Sequence, residues 1–87
     1  MTTQKAFDYI IQEYFEAKKK HPTFPHRFGR QLSILIEEVG EVAKEINEWS
    51  NQPWDSDDKE LEQKLITELA QTGAVIVRML EDMNKCC

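Results

Sequence analysis

Residues 28–49 read FGRQLSILIEEVGEVAKEINEW, and the reading of this stretch decides the architecture. Phe28, Leu32, Leu35, Val39, Val42, Ile46 and Trp49 follow one another at alternating steps of four and three. An α-helix carries such positions along a single seam, the pattern by which nearly parallel helices pack in a bundle. The run predicts a helix from Phe28 to Trp49, ended by Ser50, Asn51 and Pro53.

The segments on either side carry the same period. Phe7, Ile10, Ile11, Tyr14 and Phe15 recur at helical spacing and predict a first helix from Thr3 to Lys20, with Thr3 as its N-cap. Lys18, Lys19 and Lys20 suit the negative end of that helix's dipole, and Pro22 and Pro25 turn residues 21–27 into a loop. Asp57, with Glu60 three residues on, reads as the capping pair of a third helix reaching Met83. Its apolar positions are Leu61, Leu65, Leu69, Ile76, Leu80 and Met83, and Ala74, Val75 and Val77 extend them around the whole circumference between Gly73 and Leu80. A helix apolar on every side must be covered on every side, which three helices cannot do. An all-α bundle completed by a partner subunit, in a homodimer or homotetramer, is therefore expected.

The 87 residues fit one domain, spanning 1–87. A chain this short buries only about 60–65% of its extended surface, which leaves a lone monomer marginal. Helix formers dominate, with three glycines and three prolines in all. The net charge of −5 lacks the basic footprint of a protein that binds nucleic acid polymers, yet it admits a phosphate ligand when a divalent cation stands between. No apolar run approaches the roughly 18 residues of a membrane span, and the N-terminus opens an amphipathic stretch rather than a signal peptide. Cys86 and Cys87 are adjacent, a geometry strained for a mutual disulfide, and read as reduced. A cytoplasmic location is expected.

Chemistry first enters at Glu37-Glu38-Val39-Gly40-Glu41. Glu38 and Glu41 lie one turn apart on one flank of the seam. Leu35 to Ile46 (LIEEVGEVAKEI) also aligns with Leu65 to Ile76 (LITELAQTGAVI). Leu35, Ile36, Glu38 and Ile46 meet Leu65, Ile66, Glu68 and Ile76 unchanged, and Glu41 meets Gln71. Each helix thus carries a polar pair at the same angle to the same kind of seam, at about −60° and −120° from the leading leucine. Packed antiparallel, with Gly40, Ala43, Ala70 and Gly73 admitting close approach, the two helices would bring the four groups together. Three carboxylates and an amide repel one another unless a cation intervenes, and their oxygens suit Mg²⁺, with Mn²⁺ as substitute. The plainer alternative is a solvated flank whose acids pair with Lys44, Lys64 and Arg78.

The two motifs, LIEEVGEVA at 35–43 and TELAQ at 67–71, resemble the MazG-like branch of the all-α nucleoside triphosphate pyrophosphatases. That family carries E-E-x-x-E on one helix and E-L-x-D on a later one, and the likeness covers both long helices, about half the chain. The resemblance implies Mg²⁺-dependent cleavage of a nucleoside triphosphate between its α and β phosphates. By it, Glu38, Glu41 and Glu68 would ligate Mg²⁺, Glu38 would help activate the attacking water, and Glu37 would act from behind the ligands. Gln71 departs from the pattern: it stands where the family has Asp, and an amide oxygen ligates without adding charge. Glu45, one turn beyond Glu41 on the same flank, is the compensating acid to look for. Asp82 projects similarly, about three turns further along.

Lys18, Lys19, Lys20, Arg27 and Arg30 concentrate basic charge between the first two helices, with His21 and His26 among them. Arg27, Arg30 and Lys18 are the triphosphate contacts to expect, although the lysines equally suit a helix C-terminus. Trp54 reads as a base platform or a loop anchor, and Trp49 as core. The rival function from another class is a non-catalytic helical interaction module whose acidic flank is only solvated surface.

Overall fold

The computed structural model describes residues 1–51 and 58–85. Among them run three α-helices and no strand: α1 (Thr3–Lys20), α2 (Phe28–Ser50) and α3 (Lys59–Lys85). Trp54, Asp57, Cys86 and Cys87 lie outside the described residues.

Local chemistry accounts for the helix ends. Thr2 rather than Thr3 caps α1, its Oγ1 accepting from the Lys5 backbone N–H at 3.1 Å. Thr3 already has helical backbone, so the hydroxyl that can reach back to an open donor is the one before it. α2 starts at Arg27 without a side-chain cap. At the head of α3 the Leu61 N–H donates to Asp58 Oδ1 at 3.1 Å.

α1 and α2 each pack on α3 and, among the described residues, not on each other. The chain is elongated, 50 × 27 × 21 Å, and its buried apolar residues (Leu61, Ala70 and Ala74) all sit on the central helix. Gly73 admits α1 rather than α2: a Cβ there would stand 3.0 Å from Ile10 Cδ1 and Cγ1. Gly40 and Ala43 lie on the exposed side of α2, and a Cβ at Gly40 would meet nothing within 4 Å. Of the four small residues expected between α2 and α3, three are therefore elsewhere: Gly40 and Ala43 on the exposed side of α2, and Gly73 against α1.

The seam of α2 is split. Leu35, Val42 and Trp49 are half-buried towards α3, whereas Leu32, Val39 and Ile46 are 45–52% exposed. Between the inward apolar positions stand Gln31, Glu38 and Glu45, and the two side chains that α2 buries most are Gln31 and Glu45. α1 divides likewise, with Ile10 and Tyr14 half-buried and Phe7, Ile11 and Phe15 exposed. On α3 the open stripe is Leu69, Ile76, Leu80 and Met83, so residues 73–80 are covered on two sides and not on the third.

A polar latch sets this rotation. Gln31 donates from Nε2 to Pro25 O and to Asp82 Oδ2, both at 2.8 Å, and His26 Nδ1 lies 2.7 Å from Asp82 Oδ1. Arg78 donates from Nη2 to His21 O at 2.9 Å and lies 4.8 Å from the centre of the Phe24 ring. The loop is thereby tied to the end of α3, and α2 leaves it antiparallel to α3. Among the described residues no helix is long and apolar enough to cross a membrane.

Candidate active site

With Gln31 held at Asp82, the antiparallel course of α2 carries Glu38, Glu41 and Glu45 down towards Glu68. Their spacing of three and four keeps them on one stripe of α2, while Glu37 is turned about 100° away and is exposed. Burial pushes the Glu68 carboxyl above its ordinary value, and the charges of Glu38, Glu41, Glu45 and Glu13 push it further. Glu38 is raised by burial and by the charges of Glu41 and Glu37. Four acids from α1 and α2 therefore lie near enough for their charges to act on Glu68 of α3.

None of the expected cations offsets them. Lys64 pairs with Glu60 at 3.9 Å, and Arg78 is engaged with His21 and Phe24. Among the described residues no ion pair reaches Glu38, Glu41, Glu45 or Glu68. Glu45 is 9% exposed, and its Oε2 is buried with no hydrogen-bond partner among the described residues. A sealed carboxylate oxygen without a donor is costly unless something else neutralises it. The donors in this group are all oxygen, the kind that a hard divalent cation such as Mg²⁺ or Mn²⁺ prefers.

Among the described residues, no three acidic, histidine or cysteine side chains stand close enough to share a metal ion.

Gln71, one turn past Glu68, donates from Nε2 to Glu13 Oε1 at 3.1 Å. Glu13 escaped the sequence reading because an acid on an amphipathic helix reads as solvated surface. The available signal was its place on the less apolar face of α1, three residues from Ile10 and beside Tyr14.

The basic residues are distributed differently. Arg27 and Arg30 are exposed at the start of α2, about 12–16 Å along its axis from Glu38. Lys18 donates to Tyr14 Oη at 3.2 Å and lies 5.1 Å from the centre of that ring, while Tyr14 Oη donates to Glu81 at 2.7 Å. Together with Phe24, His26 and Arg78, Lys18 lines a cleft of about 310 Å³ near the C-terminal end of α3. That cleft is about 20 Å along α3 from Glu68. The structure sets Glu38, Glu41 and Glu45 near enough to Glu68 for their charges to act on it, and leaves Lys18, Arg27 and Arg30 apart from them.

Compared with protein-family models, characterised proteins and solved structures, the chain has no match.

Proposed function

We propose that this chain is a Mg²⁺-dependent nucleoside triphosphate pyrophosphohydrolase, converting a (deoxy)nucleoside triphosphate to the monophosphate and pyrophosphate. The observation that carries the reading is the group of uncompensated acids around Glu68, with the buried, unpartnered oxygen of Glu45 at its edge. Glu38, Glu41 and Glu68 would hold the cation, with Gln71 and Glu45 as the further oxygens. The bound ion would supply neutralisation of the triphosphate and a lowered pKa of the attacking water. Glu38 would take a proton from the attacking water, and the α–β phosphoanhydride bond would break as that water's oxygen joins phosphorus, leaving monophosphate and pyrophosphate. Glu37, exposed beside Glu38, would act from behind the ligands once a cation offsets the repulsion between the two carboxylates. Of the basic groups expected to contact the phosphates, Arg27 and Arg30 at the start of α2 are the nearer ones, and Lys18, held at Tyr14 about 20 Å along α3 from Glu68, is out of reach of a triphosphate bound there.

The working form is a homodimer or homotetramer. Its support is the open stripe Leu69, Ile76, Leu80 and Met83, matched by Leu32, Val39 and Ile46 on α2 and by Phe7, Ile11 and Phe15 on α1. So much exposed apolar surface marks an association face. The same stripes favour a second reading, a non-catalytic helical interaction module.

Product analysis decides between the two. Incubation of a panel of ribo- and deoxyribonucleoside triphosphates with Mg²⁺ should give monophosphate and pyrophosphate. Release of diphosphate and inorganic phosphate, or no turnover of any triphosphate, overturns the proposal. Melting gives an independent readout: Mg²⁺ with a triphosphate should raise the midpoint of the enzyme and leave that of an interaction module unchanged.

A further inference from the structure

Leu69, Thr72, Ile76, Leu80 and Met83 follow one another along α3 at steps of three, four, four and three. The series reads the same from either end, with Ile76 at its middle. Its four large side chains are 44–58% exposed, and Thr72 adds a methyl group, since its hydroxyl donates to Glu68 O at 2.8 Å. The outer apolar stripes of the flanking helices turn to the same side. α1 runs parallel to α3, with Ile10 at Gly73 and His21 at Arg78, whereas α2 runs antiparallel from Gln31 at Asp82. On each helix the outer stripe lies roughly a quarter turn from the residues that meet α3. Because the two helices run in opposite senses on different flanks of α3, both quarter turns point to the side of Ile76. The three stripes therefore make one face.

The chain exposes 6646 Å², where a compact monomer of 10.2 kDa exposes roughly 5,300 Å². The excess is about 1,300 Å² per chain, so two copies that bury it would cover about 2,600 Å² between them, the size of a permanent dimer interface.

We propose that the occupant of this face is a second copy of the chain, packed about a two-fold axis at Ile76 with the two α3 helices antiparallel. The inference rests on the association proposed above and not on the hydrolytic reading. A two-fold contact must be complementary to itself, which a series that reads alike in both directions provides. Ile76 meets the partner's Ile76, Leu69 meets the partner's Met83, and Leu80 meets the smaller side chain of the partner's Thr72. Charge selects the antiparallel sense. Among the described residues no ion pair reaches Glu38, Glu41, Glu45 or Glu68, while Arg27 and Arg30 stand exposed at the far end of the α2–α3 pair. Gln31 holds that end level with Asp82, so reversal about Ile76 sets the partner's Arg27 and the partner's Arg30 within about one turn of helix of Glu68 along the axis. A parallel pair would set acids level with acids, at a cost in repulsion.

Sedimentation equilibrium of the full chain should give a stable dimer, or a multiple of it, at micromolar concentration. Thiol cross-linking then reads the register, in a Cys86→Ser/Cys87→Ser background whose helix content is checked by circular dichroism. With a short bismaleimide, Ile76→Cys should trap a covalent dimer, because the two thiols face each other across the axis. Leu69→Cys alone should not, since the partner's Leu69 lies about 21 Å away along the helix. Leu69→Cys/Met83→Cys should link again, between chains, because the same span separates the two positions within one chain. A Leu69→Cys protein that links to itself overturns this inference alone, as does an oligomer in which Ile76→Cys or the double variant fails to link. A chain that stays monomeric, including one that associates only with a different protein, overturns the association and this inference together.

Discussion

Gln31 donates to Asp82 across 2.8 Å with both side chains sealed from solvent, the first 0% and the second 4% exposed. The contact joins the start of α2 to the end of α3, and its consequence is felt at the opposite end of the pair. It turns α2 about its axis so that Glu38 and Glu45 face α3 while Leu32, Val39 and Ile46 face away.

Asp82→Ala should therefore destabilise the chain by about 1–3 kcal/mol, because the buried Gln31 amide loses one of its two acceptors and keeps only Pro25 O. For a domain of this size that is roughly 4–8 °C in Tm for each kcal/mol. His26→Ala should cost less, since that side chain is 79% exposed. Urea denaturation of the two variants checks the order, and equal losses would show that Gln31 contributes nothing to the latch.

The raised carboxyls of Glu38 and Glu68 have a pH signature. Their folded values lie above the ordinary 4.5, so between the two values the folded state holds protons that the unfolded state has released. Their contribution favours folding at acid pH and is lost as pH rises through the folded values. Glu68→Gln should remove part of that loss and leave the metal-free protein as stable as the parent, or more so, near neutral pH. Triphosphate hydrolysis should fall by orders of magnitude in the same variant. Melting at several pH values with parallel turnover is the check; reduced stability with activity lost only in proportion would mark Glu68 as structural.

Glu45 should behave as a buried acid awaiting a counter-charge. Glu45→Gln should raise the metal-free Tm and weaken Mg²⁺ binding, since its Oε2 is buried without a hydrogen-bond partner among the described residues. Unaltered Mg²⁺ affinity would separate Glu45 from the cation group.

The open stripe on α3 is the surface to disrupt for assembly. Ile76 and Leu80 are 44% and 58% exposed, whereas Val75 is half-buried within the chain. Leu80→Lys should convert an oligomer to monomers, because a charge in a dry contact lacks compensation. Analytical ultracentrifugation reads this directly, and a parent protein that is already a stable monomer at micromolar concentration would remove the association proposal.

Two glycines should respond in opposite ways to alanine. Gly40→Ala gains about 0.5–1 kcal/mol of helix preference, with no neighbour to disturb. Gly73→Ala meets Ile10 Cγ1 and Cδ1 at 3.0 Å and should lose stability, with partial recovery in the Gly73→Ala/Ile10→Val pair. Equal effects at both positions would mean that α1 does not approach α3 as closely as described.

What the sequence by itself determined is whatever depends on neighbours within a turn or two of helix. Apolar period, prolines and dipole-matched lysines mark the three helices nearly to the residue. The match of Leu35–Ile46 to Leu65–Ile76 sets Glu38 and Glu68 at the same angle to the seams of their own helices, with Glu41 one turn beyond Glu38, because helical angle is a local property. Rotation of each helix about its own axis is not local. α2 has an apolar stripe through Leu32, Val39 and Ile46 and another through Leu35, Val42 and Trp49, and burial alone does not choose between them. The choice falls to contacts between residues 51 and 57 positions apart, Gln31 with Asp82 and Arg78 with His21 O, which no sequence period records. Glu13 is the same case: on α1 it resembles any solvated acid, and only the packing of that helix on α3 sets it against Gln71.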